Sequence, residues 1–245
     1  MKEWLYGRNP IYEVLRAGRR QVYGLKVAKG VQEKDRLAEV ISICRNQQVP
    51  VNYVPRHELD QIDRNHQGVA LQVNPYPYSD LSEMLALADQ RKEPPFLLLL
   101  DTLQDPQNLG TLLRTAEAVG VHGVLLPHAR TATITPAVVS SSSGASEHLL
   151  VAQANLAQAI STVKEHNVWV IGLDGGENSQ PVEQINLTGG LALVVGSEGE
   201  GMRRLVRERC DLLMRLPMRG QIESLNAAVA GSIALYLALA ARNTA

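Results

Sequence analysis

The sequence predicts an α/β protein in two parts. A C-terminal α/β domain spans residues 96–245, a smaller α+β domain spans 1–74, and a linker region at 75–95 joins them. The run FLLLL that opens the C-terminal part ends at an aspartate and is typical of a strand buried on both faces of a parallel sheet. From there onwards strand patterns alternate with helix patterns, which favours parallel strands. Pro75 and Pro77 break the earlier pattern, so the boundary is expected near 75.

The N-terminal part has the pattern of helices and strands of ordinary length. A first helix is predicted over 8–18, with Asn9 as its cap, Pro10 at the first helical position and Gly18 as its stop. The other predicted elements are a strand at 21–28, a helix at 33–47, a strand at 49–55, a short helix at 57–62 and a strand at 68–73.

In the rest of the chain, a polar helix is predicted in the linker region at 80–92. Strands are predicted at 96–100, 123–127, 168–174, 190–196 and 211–217. Helices are predicted at 108–120, 135–149, 155–167 and 200–210, the second of them begun by Thr135 and Pro136.

The last helix is nearly all apolar, and Ser224 is a good candidate for its N-cap. A helix that is apolar on every face has to be buried, so this helix should lie in the core or in a subunit interface. Small residues suit such close packing, and they occur at 227, 228, 230, 231 and 234.

Polar loops follow four of the predicted strands. They are DTLQDPQNLG after the first, LDGGEN, GSEGEG, and PMRGQIESLN, which leads into the last helix. The carboxyl ends of parallel strands lie at one edge of the sheet, where α/β proteins bind their ligands. The sequence therefore predicts one site to which these four loops contribute.

Charge distribution, apolar segments and cysteine content indicate what class of protein the sequence encodes. The net charge is -1, but residues 1–74 carry +4 and the remainder -5, so the basic part either faces a polyanion or is an ordinary solvated surface. The N-terminus lacks a signal peptide, and the last apolar run is shorter than the ~20 residues a bilayer needs, which predicts a soluble, cytoplasmic protein. Cys44 and Cys210 are expected to be reduced thiols, and no histidine or cysteine spacing indicates a metal site.

The loop GSEGEG at 196–201 narrows the choice of ligand. A dinucleotide loop needs G-x-G-x-x-G, whereas this loop has G-x-x-G-x-G with Glu198 and Glu200 where a phosphate would be repelled. A glycine loop with carboxylates favours a ligand that carries hydroxyls and positive charge, as S-adenosylmethionine does. The alternative is a structural turn before a helix beginning at Glu200, which would explain the glycines and Glu200 but not Glu198.

Two further features are candidates for a chemical role: the serine run at 140–143 and Arg114. The serines at 140–143 lack the G-x-S-x-G pattern of a nucleophile, so small residues that let a helix pack closely are the better interpretation. Arg114 lies in a helical pattern with Leu109, Leu112 and other apolar residues, close to the predicted edge. It either forms a surface ion pair or holds a phosphate bidentately.

Three stretches together resemble the signature motifs of the SpoU (TrmH-type) SPOUT RNA 2'-O-ribose methyltransferases. They are DTLQDPQNLGTLLRTAEAVGV, LALVVGSEGEGM and LPMRGQIESLNAAVAGSIALY, in that order and spacing. The stretches YGRNPIYEVL and HQGVALQV resemble the family's small RNA-binding domain, which is similar to ribosomal protein L30e. The likeness covers essentially the whole chain. It is greatest to the subgroup that methylates the ribose 2'-OH of a guanosine in the peptidyl-transferase P loop of bacterial 23S rRNA.

The resemblance implies a C-terminal α/β-knot domain with a deep trefoil knot, a small L30e-like N-terminal domain, and a homodimer formed through the knot domain. It implies S-adenosylmethionine as cofactor, 23S rRNA as partner, and no membrane or metal. The implied cofactor-binding residues are Leu173, Gly196, Leu216, Ser224, Leu225 and Asn226. The implied catalytic residues are Asn108, Arg114, Glu198, Ser224 and Asn226. The basic residues Arg8, Arg19 and Arg20 are expected to bind RNA, although the last two follow a helix end, where cations are favourable anyway.

The expected reaction is an in-line attack of a ribose 2'-oxygen on the methyl carbon of the cofactor, helped by proximity and alignment. Our hypothesis is that Arg114 holds an RNA phosphate and stabilises the developing alkoxide, since a guanidinium is a poor base. Three alternatives remain: the same chemistry on tRNA or another rRNA site, an RNA-binding protein without catalysis, and, least favoured by the glycine spacing, an oxidoreductase.

Overall fold

The computed structural model describes residues 2–176, 178–197 and 199–243. The chain divides into two compact units, Met1–Pro77 with Ile134–His148, and Tyr78–Thr133 with Leu149–Ala245. We call them the N-terminal unit and the C-terminal unit. Residues 134–148 belong to the C-terminal domain predicted from the sequence, whereas in the structure they group with the N-terminal unit.

The helices and strands follow one another as β1 (Glu3–Tyr6), α1 (Arg8–Ala17), β2 (Val22–Ala28), α2 (Arg36–Asn46), β3 (Val51–Val54), α3 (Arg56–Asp60), β4 (Val69–Val73), α4 (Leu81–Arg91), β5 (Phe96–Leu100), α5 (Pro106–Ala118), β6 (Gly123–Leu126), α6 (Pro136–Ser141), β7 (Val151–Gln153), α7 (Leu156–Glu165), β8 (Trp169–Leu173), β9 (Gln180–Pro181), β10 (Leu191–Val195), α8 (Arg204–Arg209), β11 (Leu212–Arg215) and α9 (Ala227–Asn243). Short 3-10 turns occur at Ala145–His148 and Val182–Gln184.

The N-terminal unit contains a mixed sheet in the order β1-β4-β2-β3. Strands β1 and β2 pair antiparallel with β4, whereas β2 and β3 are parallel. This confirms the predicted α+β class. Strand β1 was not predicted, because it has four residues and only Leu5 among them is fully buried, so it shows no long alternation of apolar and polar residues.

The ends of α1 confirm one predicted signal and contradict another. Asn9 does not cap the helix: the N-cap is Gly7, at φ 89°, and Arg8 is already helical. The amide of Arg8 instead donates to Oε1 of Gln67 (2.9 Å), so a distant side chain supplies the missing acceptor. Gly18 is confirmed as the stop, in the left-handed conformation with its N–H bonded to a carbonyl of the last turn.

The helix predicted over 135–149 is interrupted. Helix α6 ends at Ser141, and Ser143 (φ 55°) and Gly144 (φ 87°) turn the chain into a 3-10 turn. A Cβ on Gly144 would lie 2.6 Å from Cβ of Glu13, so only glycine fits this close approach to α1. Ser142 is fully buried and donates to the carbonyl of Val139 (3.1 Å), as small packing residues do.

A buried ion pair fixes residues 134–148 within the N-terminal unit. Glu147 accepts two hydrogen bonds from Arg20, from Nε (2.8 Å) and from Nη2 (2.7 Å), and both side chains are 0% exposed. Arg20 also pairs with Glu3 and donates to the carbonyl of Asn74. Burial alone would lower the pKa of Arg20, but Glu147 and Glu3 raise it above its ordinary value, so the guanidinium stays charged.

The C-terminal unit contains a sheet in the order β7-β6-β5-β10-β8-β11-β9, and every described pair in it is parallel. This confirms the predicted parallel sheet. All five residues of β5 and all five of β10 are buried, as expected for strands covered on both faces. Strands β7 and β9 were not predicted, because runs of three and two residues carry no periodicity.

Part of the predicted linker region belongs to the core of the C-terminal unit. Helix α4 buries Met84, Leu85 and Ala88, the first two in the same apolar cluster as Leu97 and Leu99 of β5. A capping box begins the helix, with the amide of Asp80 donating to Glu83 (3.1 Å). The polar appearance of this helix comes from its exposed side alone.

Helix α9 differs from expectation at both its cap and its faces. Ser224 is not the cap, because Oδ1 of Asn226 accepts from the amides of Ala228 (2.9 Å) and Val229 (3.1 Å). One side of the helix is buried, and a Cβ on Gly231 would lie 2.6 Å from a methyl carbon of Leu112 in α5. The other side is exposed, so the prediction that every face of this helix is buried is wrong within a single copy of the chain. Within the described ranges, no helix is long and apolar enough to cross a bilayer.

We expect Arg20→Met to lower the free energy of unfolding by about 3–5 kcal/mol, because it leaves the buried carboxylate of Glu147 without its partner. The double replacement Arg20→Met with Glu147→Leu should recover most of that loss. Urea unfolding followed by circular dichroism measures both. Arg204→Met, which breaks an exposed pair with Glu208, serves as the control and should cost less than about 0.5 kcal/mol. A loss below about 1 kcal/mol for Arg20→Met would contradict a structural role for the buried pair.

Candidate functional site

A cavity of about 600 Å³ opens at the carboxyl ends of β8, β10 and β11 in the C-terminal unit. Three of the four predicted loops contribute to it, together with the start of α9. The lining residues are Leu173, Asp174, Gly175, Gly176, Val195, Gly196, Ser197, Gly199, Glu200, Gly201, Met202, Arg207, Met214, Arg215, Leu216, Met218, Glu223, Ser224, Leu225, Ala227 and Ala230. The fourth loop, after β5, reaches the edge of the site through other contacts.

The loop after β10 forms a closed turn. Ser197 and Gly201 exchange two backbone hydrogen bonds of 3.0 Å. A Cβ on Gly196 would lie 2.2 Å from the carbonyl carbon of Gly201, so the backbone approaches itself more closely than any side chain allows. The glycines therefore have a structural reason. Helix α8 begins at Arg204 and not at Glu200, so the prediction that Glu200 lies in a first helical turn is wrong.

Asp101 anchors this loop from the end of β5. Its carboxylate is 0% exposed and accepts from the backbone N–H of Arg203 (2.7 Å) and from Nε of the same residue (2.7 Å). One buried carboxylate thus fixes both the backbone and the side chain of the residue before α8. The sequence analysis did not single out either residue, although an acid directly after a doubly buried strand was a usable signal.

An ion pair between Asp174 and Arg207 lies within the cavity lining. The carboxylate also accepts from the amide of Gly176 (2.7 Å). Burial alone would raise the pKa of Asp174, but Arg207 and the amide outweigh it and hold that pKa below its usual value. The acid is therefore ionised and its position is fixed. Sequence reasoning missed both residues as individuals.

The structure brings together five of the six predicted cofactor residues. Leu173, Gly196, Leu216, Ser224 and Leu225 all line the cavity. The sixth, Asn226, caps α9 beside it and donates through Nδ2 to Oδ1 of Asn108 (3.2 Å). Two residues predicted from separate motifs are therefore in direct contact.

The remaining predicted catalytic residues are less closely placed. Arg114 is exposed on α5, while its neighbours Leu112 and Leu113 are buried, so the expectation that it shares their apolar face is wrong. Its helix packs against α9, where Oγ1 of Thr115 lies 2.9 Å from Oγ of Ser232. Glu198 lies outside the described residues.

Two of the three predicted RNA-binding arginines are engaged inside the N-terminal unit. Arg20 is buried in its pair with Glu147, so its prediction as an RNA contact is wrong. Arg19 is half-buried and donates to the hydroxyl of Tyr76 (3.2 Å) and to the carbonyl of Pro77 (3.1 Å). Burial raises the pKa of Tyr76 to about 12, so its hydroxyl stays protonated. The third, Arg8, lines a separate cavity of the N-terminal unit.

Neither of the two cysteines is among the residues that line the two cavities. Cys44 and Cys210 are free, and burial raises their pKa values to about 11 and about 12. Among the residues that the structure describes, no group of three or more histidine, cysteine, aspartate and glutamate side chains could hold a metal ion.

Comparisons with known proteins agree with the motifs. Residues 95–236 match the SpoU rRNA Methylase family, and residues 4–79 match the family described as RNA 2'-O ribose methyltransferase substrate binding. The chain is 41% identical over 245 residues to YacO of Bacillus subtilis (strain 168), whose name assigns it to the TrmH family of tRNA/rRNA methyltransferases. That match covers 98% of this chain and 96% of the relative.

Solved structures share the fold. The SpoU methyltransferase AviRb from Streptomyces viridochromogenes, crystallised with the cofactor AdoMet, has a TM-score of 0.82 at 23% identity and covers 100% of this chain and 92% of its own. An AdoMet-bound rRNA methyltransferase from Sinorhizobium meliloti has a TM-score of 0.78 at 24% identity and covers 97% of this chain and 86% of its own. Loops of two motifs line one cavity, the first motif reaches its edge through Asn108, and the family match covers more than half of the length, so the chain belongs to the SpoU rRNA methylase family.

Proposed function

We propose that this protein transfers a methyl group from S-adenosylmethionine to the ribose 2'-hydroxyl of a guanosine in the peptidyl-transferase P loop of 23S rRNA. The observation that carries the proposal is that residues from two distant motifs, and from the loop after β8, line one cavity at the carboxyl ends of the parallel strands. Ligands of α/β proteins bind at this edge.

The chemistry of the lining suits this cofactor. Leu173, Leu216 and Leu225 offer apolar surface to an adenine ring, and the ionised Asp174 offers acceptors to hydroxyls and to an amine. A Cβ at Gly199 would meet nothing within 4 Å, so the backbone there borders open space. When bound, S-adenosylmethionine supplies the methyl group on its sulfonium.

The chain's own residues orient the reacting groups. The contact between Asn226 and Asn108 fixes both amides at the edge of the cavity, since Oδ1 of Asn226 is already held by two amides of α9. Ser224 also lines the cavity. We assign these three residues, with Glu198, to orienting the ribose, because alignment of the attacking oxygen provides much of the acceleration.

Arg114 is assigned to the RNA. It is exposed on α5, six residues after Asn108, where a phosphate can reach its guanidinium. A guanidinium is a poor base and does not accept a proton, but it holds phosphate bidentately and stabilises the charge that develops on the 2'-oxygen.

The choice of rRNA rests on the N-terminal unit. Residues 4–79 match a substrate-binding family of RNA 2'-O ribose methyltransferases, and the rRNA methyltransferase of Sinorhizobium meliloti covers nearly the whole chain. The name of the Bacillus relative includes tRNA, so tRNA is the second candidate substrate. The guanosine of the P loop follows from the motif resemblance to that subgroup.

We further propose that two copies of the chain associate through α9. Three of its apolar side chains are exposed on one stripe: Val229 by 46%, Ile233 by 40% and Tyr236 by 54%. They lie four and three residues apart, which puts them on one face of the helix. A second copy of the same face would bury them, as C2 dimers do. The trefoil knot stays a prediction.

To test the reaction, the purified protein is incubated with labelled S-adenosylmethionine and with 23S rRNA that lacks the modification, and the RNA is digested to nucleosides. We expect label in 2'-O-methylguanosine that maps to the P loop. Label in tRNA or at another rRNA site would show that the proposed substrate is wrong. No label with cofactor bound would favour a non-catalytic RNA-binding protein.

The matched variant for that assay is Arg114→Lys, which keeps the charge but loses the planar fork. We expect turnover to fall by about 100-fold or more, as when one preorganised donor is removed, while cofactor affinity is unchanged. Near-normal turnover would contradict the role given to Arg114.

Asp101→Ala should weaken cofactor binding by about tenfold or more, because the hydrogen bonds to its carboxylate hold the loop after β10. Calorimetric titration with S-adenosylmethionine measures the change. Asp101→Asn, which keeps an acceptor for the amide of Arg203, should recover part of the affinity. Asp89→Ala on the exposed side of α4 is the control. Wild-type affinity in Asp101→Ala would rule out the anchoring role.

Ile233→Glu should convert a dimer into a monomer, because it places a charge in the centre of the apolar stripe. Sedimentation velocity reports the change in mass. Leu205→Glu, at an apolar residue of α8 that is 50% exposed, should leave the dimer intact. A wild-type protein that sediments as a monomer would refute the dimer.

A further inference from the structure

The N-terminal unit contains its own cavity, of about 500 Å³. Three cationic residues line it: Arg8 at the start of α1, Lys29 just after β2 and Arg56 at the start of α3. No acidic residue is among the lining residues. Three separate elements of the fold therefore bring positive charge to one concave surface.

Arg8 is held in place before any ligand arrives. Its backbone N–H donates to Oε1 of Gln67 (2.9 Å) and its Nε donates to the carbonyl of Gln67 (3.1 Å). These bonds fix the side chain as far as Nε. Its two terminal nitrogens have no hydrogen-bond partner among the described residues. A guanidinium fixed in this way loses less entropy when it binds an anion through those nitrogens.

The segment that holds Arg8 has an unusual backbone. Gln67 (φ 54°) and Gly68 (φ 85°) are both left-handed, and the amide of Gly68 donates to Nδ1 of His66 (2.8 Å). Because Nδ1 accepts, the ring proton is on Nε2, which lies 3.1 Å from Asp60. The His66 ring is fully buried. Such a conformation persists only where its surroundings stabilise it, and it is common at binding sites.

The other two cations differ from those basic residues of the unit that form ion pairs with acids. Lys26 pairs with Glu58, Arg36 pairs with Glu39, and Arg20 is neutralised by two acids. Lys29 and Arg56 are exposed, and neither has an ion pair among the residues that the structure describes. Unneutralised cations around one cavity favour an anionic ligand.

We propose that this cavity is a subsite for the phosphodiester backbone of the substrate RNA, with one phosphate held bidentately by Arg8 and neighbouring phosphates contacted by Lys29 and Arg56. The inference rests on the proposed function for the identity of the polyanion. Contacts of this kind position an RNA and carry no sequence information, so the subsite provides affinity and register, and the base is selected elsewhere.

The test measures binding of a P-loop hairpin of 23S rRNA by fluorescence anisotropy over a series of salt concentrations. Each of Arg8→Gln, Lys29→Gln and Arg56→Gln should weaken binding, and Lys29→Gln with Arg56→Gln should lower the salt slope by about two, because each phosphate contact contributes about one. Arg16→Gln, which removes an exposed charge at the other end of α1, is the control. It should change neither the affinity for the hairpin nor the salt slope by more than twofold. Unchanged affinity in the double variant would overturn the subsite.

A second variant separates positioning from charge. Gln67→Ala keeps all three cations but removes the side-chain acceptor for the Arg8 amide, so affinity should fall while the salt slope stays the same. Wild-type affinity in Gln67→Ala would contradict the preorganisation of Arg8. Binding of inorganic phosphate or guanosine monophosphate more tightly than the hairpin would show that the cavity takes a free nucleotide or ion instead.

These readouts are independent of methyl transfer. If the wild-type protein binds the hairpin through these residues but transfers no methyl group, the proposed reaction fails and the subsite stands. If it methylates the RNA and the double variant has the same KM for RNA, the subsite fails and the reaction stands. With the subsite present, the double variant should raise KM for RNA while kcat at saturating RNA stays within about twofold.

Discussion

The parallel pairing of β5 with β10 is the constraint on which the C-terminal unit depends. These strands are neighbours from Phe96 and Leu191 to Leu100 and Val195, although about ninety residues separate them in the chain. Because β6 and β7 continue the sheet on one side of β5 while β8 and β11 lie beyond β10, the strand order reverses between them. Ligand sites of such sheets lie at the carboxyl ends of the strands, and the cavity lies there on the β10 side of the reversal, at the ends of β10, β8 and β11.

The cavity is shaped by backbone more than by side chains. Gly196 permits a self-approach that no other residue allows, and Asp101 ties the far end of the same loop to β5. Within the lining, the acid after β8 is ionised and paired with Arg207. In the function we propose, a ligand binds here through fixed amides and carbonyls, which need no rearrangement when it arrives.

The N-terminal unit uses arginine in two opposite ways. Arg20 is buried and paired with two acids, so its charge is neutralised inside the fold. Arg8 is fixed by an uncharged residue and lines a cavity. Both residues carry the same side chain in a basic stretch of sequence. Their difference arises from Glu147 and Gln67, which are distant in the chain and reach them only through the fold.

The sequence by itself determined the class of each part, the parallel sheet, nearly all helices and strands of five residues or more, and five of the residues that line the cavity, because these depend on local periodicity and on motifs with fixed spacing. Tertiary structure decided the rest. Short strands β1, β7 and β9 exist only through pairing, Asn226 and not Ser224 caps α9, and the exposure of Arg114 depends on which side of α5 the core covers. Residues 134–148 group with the N-terminal unit and are held there by contacts that include a buried ion pair between residues 127 positions apart, and no local pattern encodes such a contact.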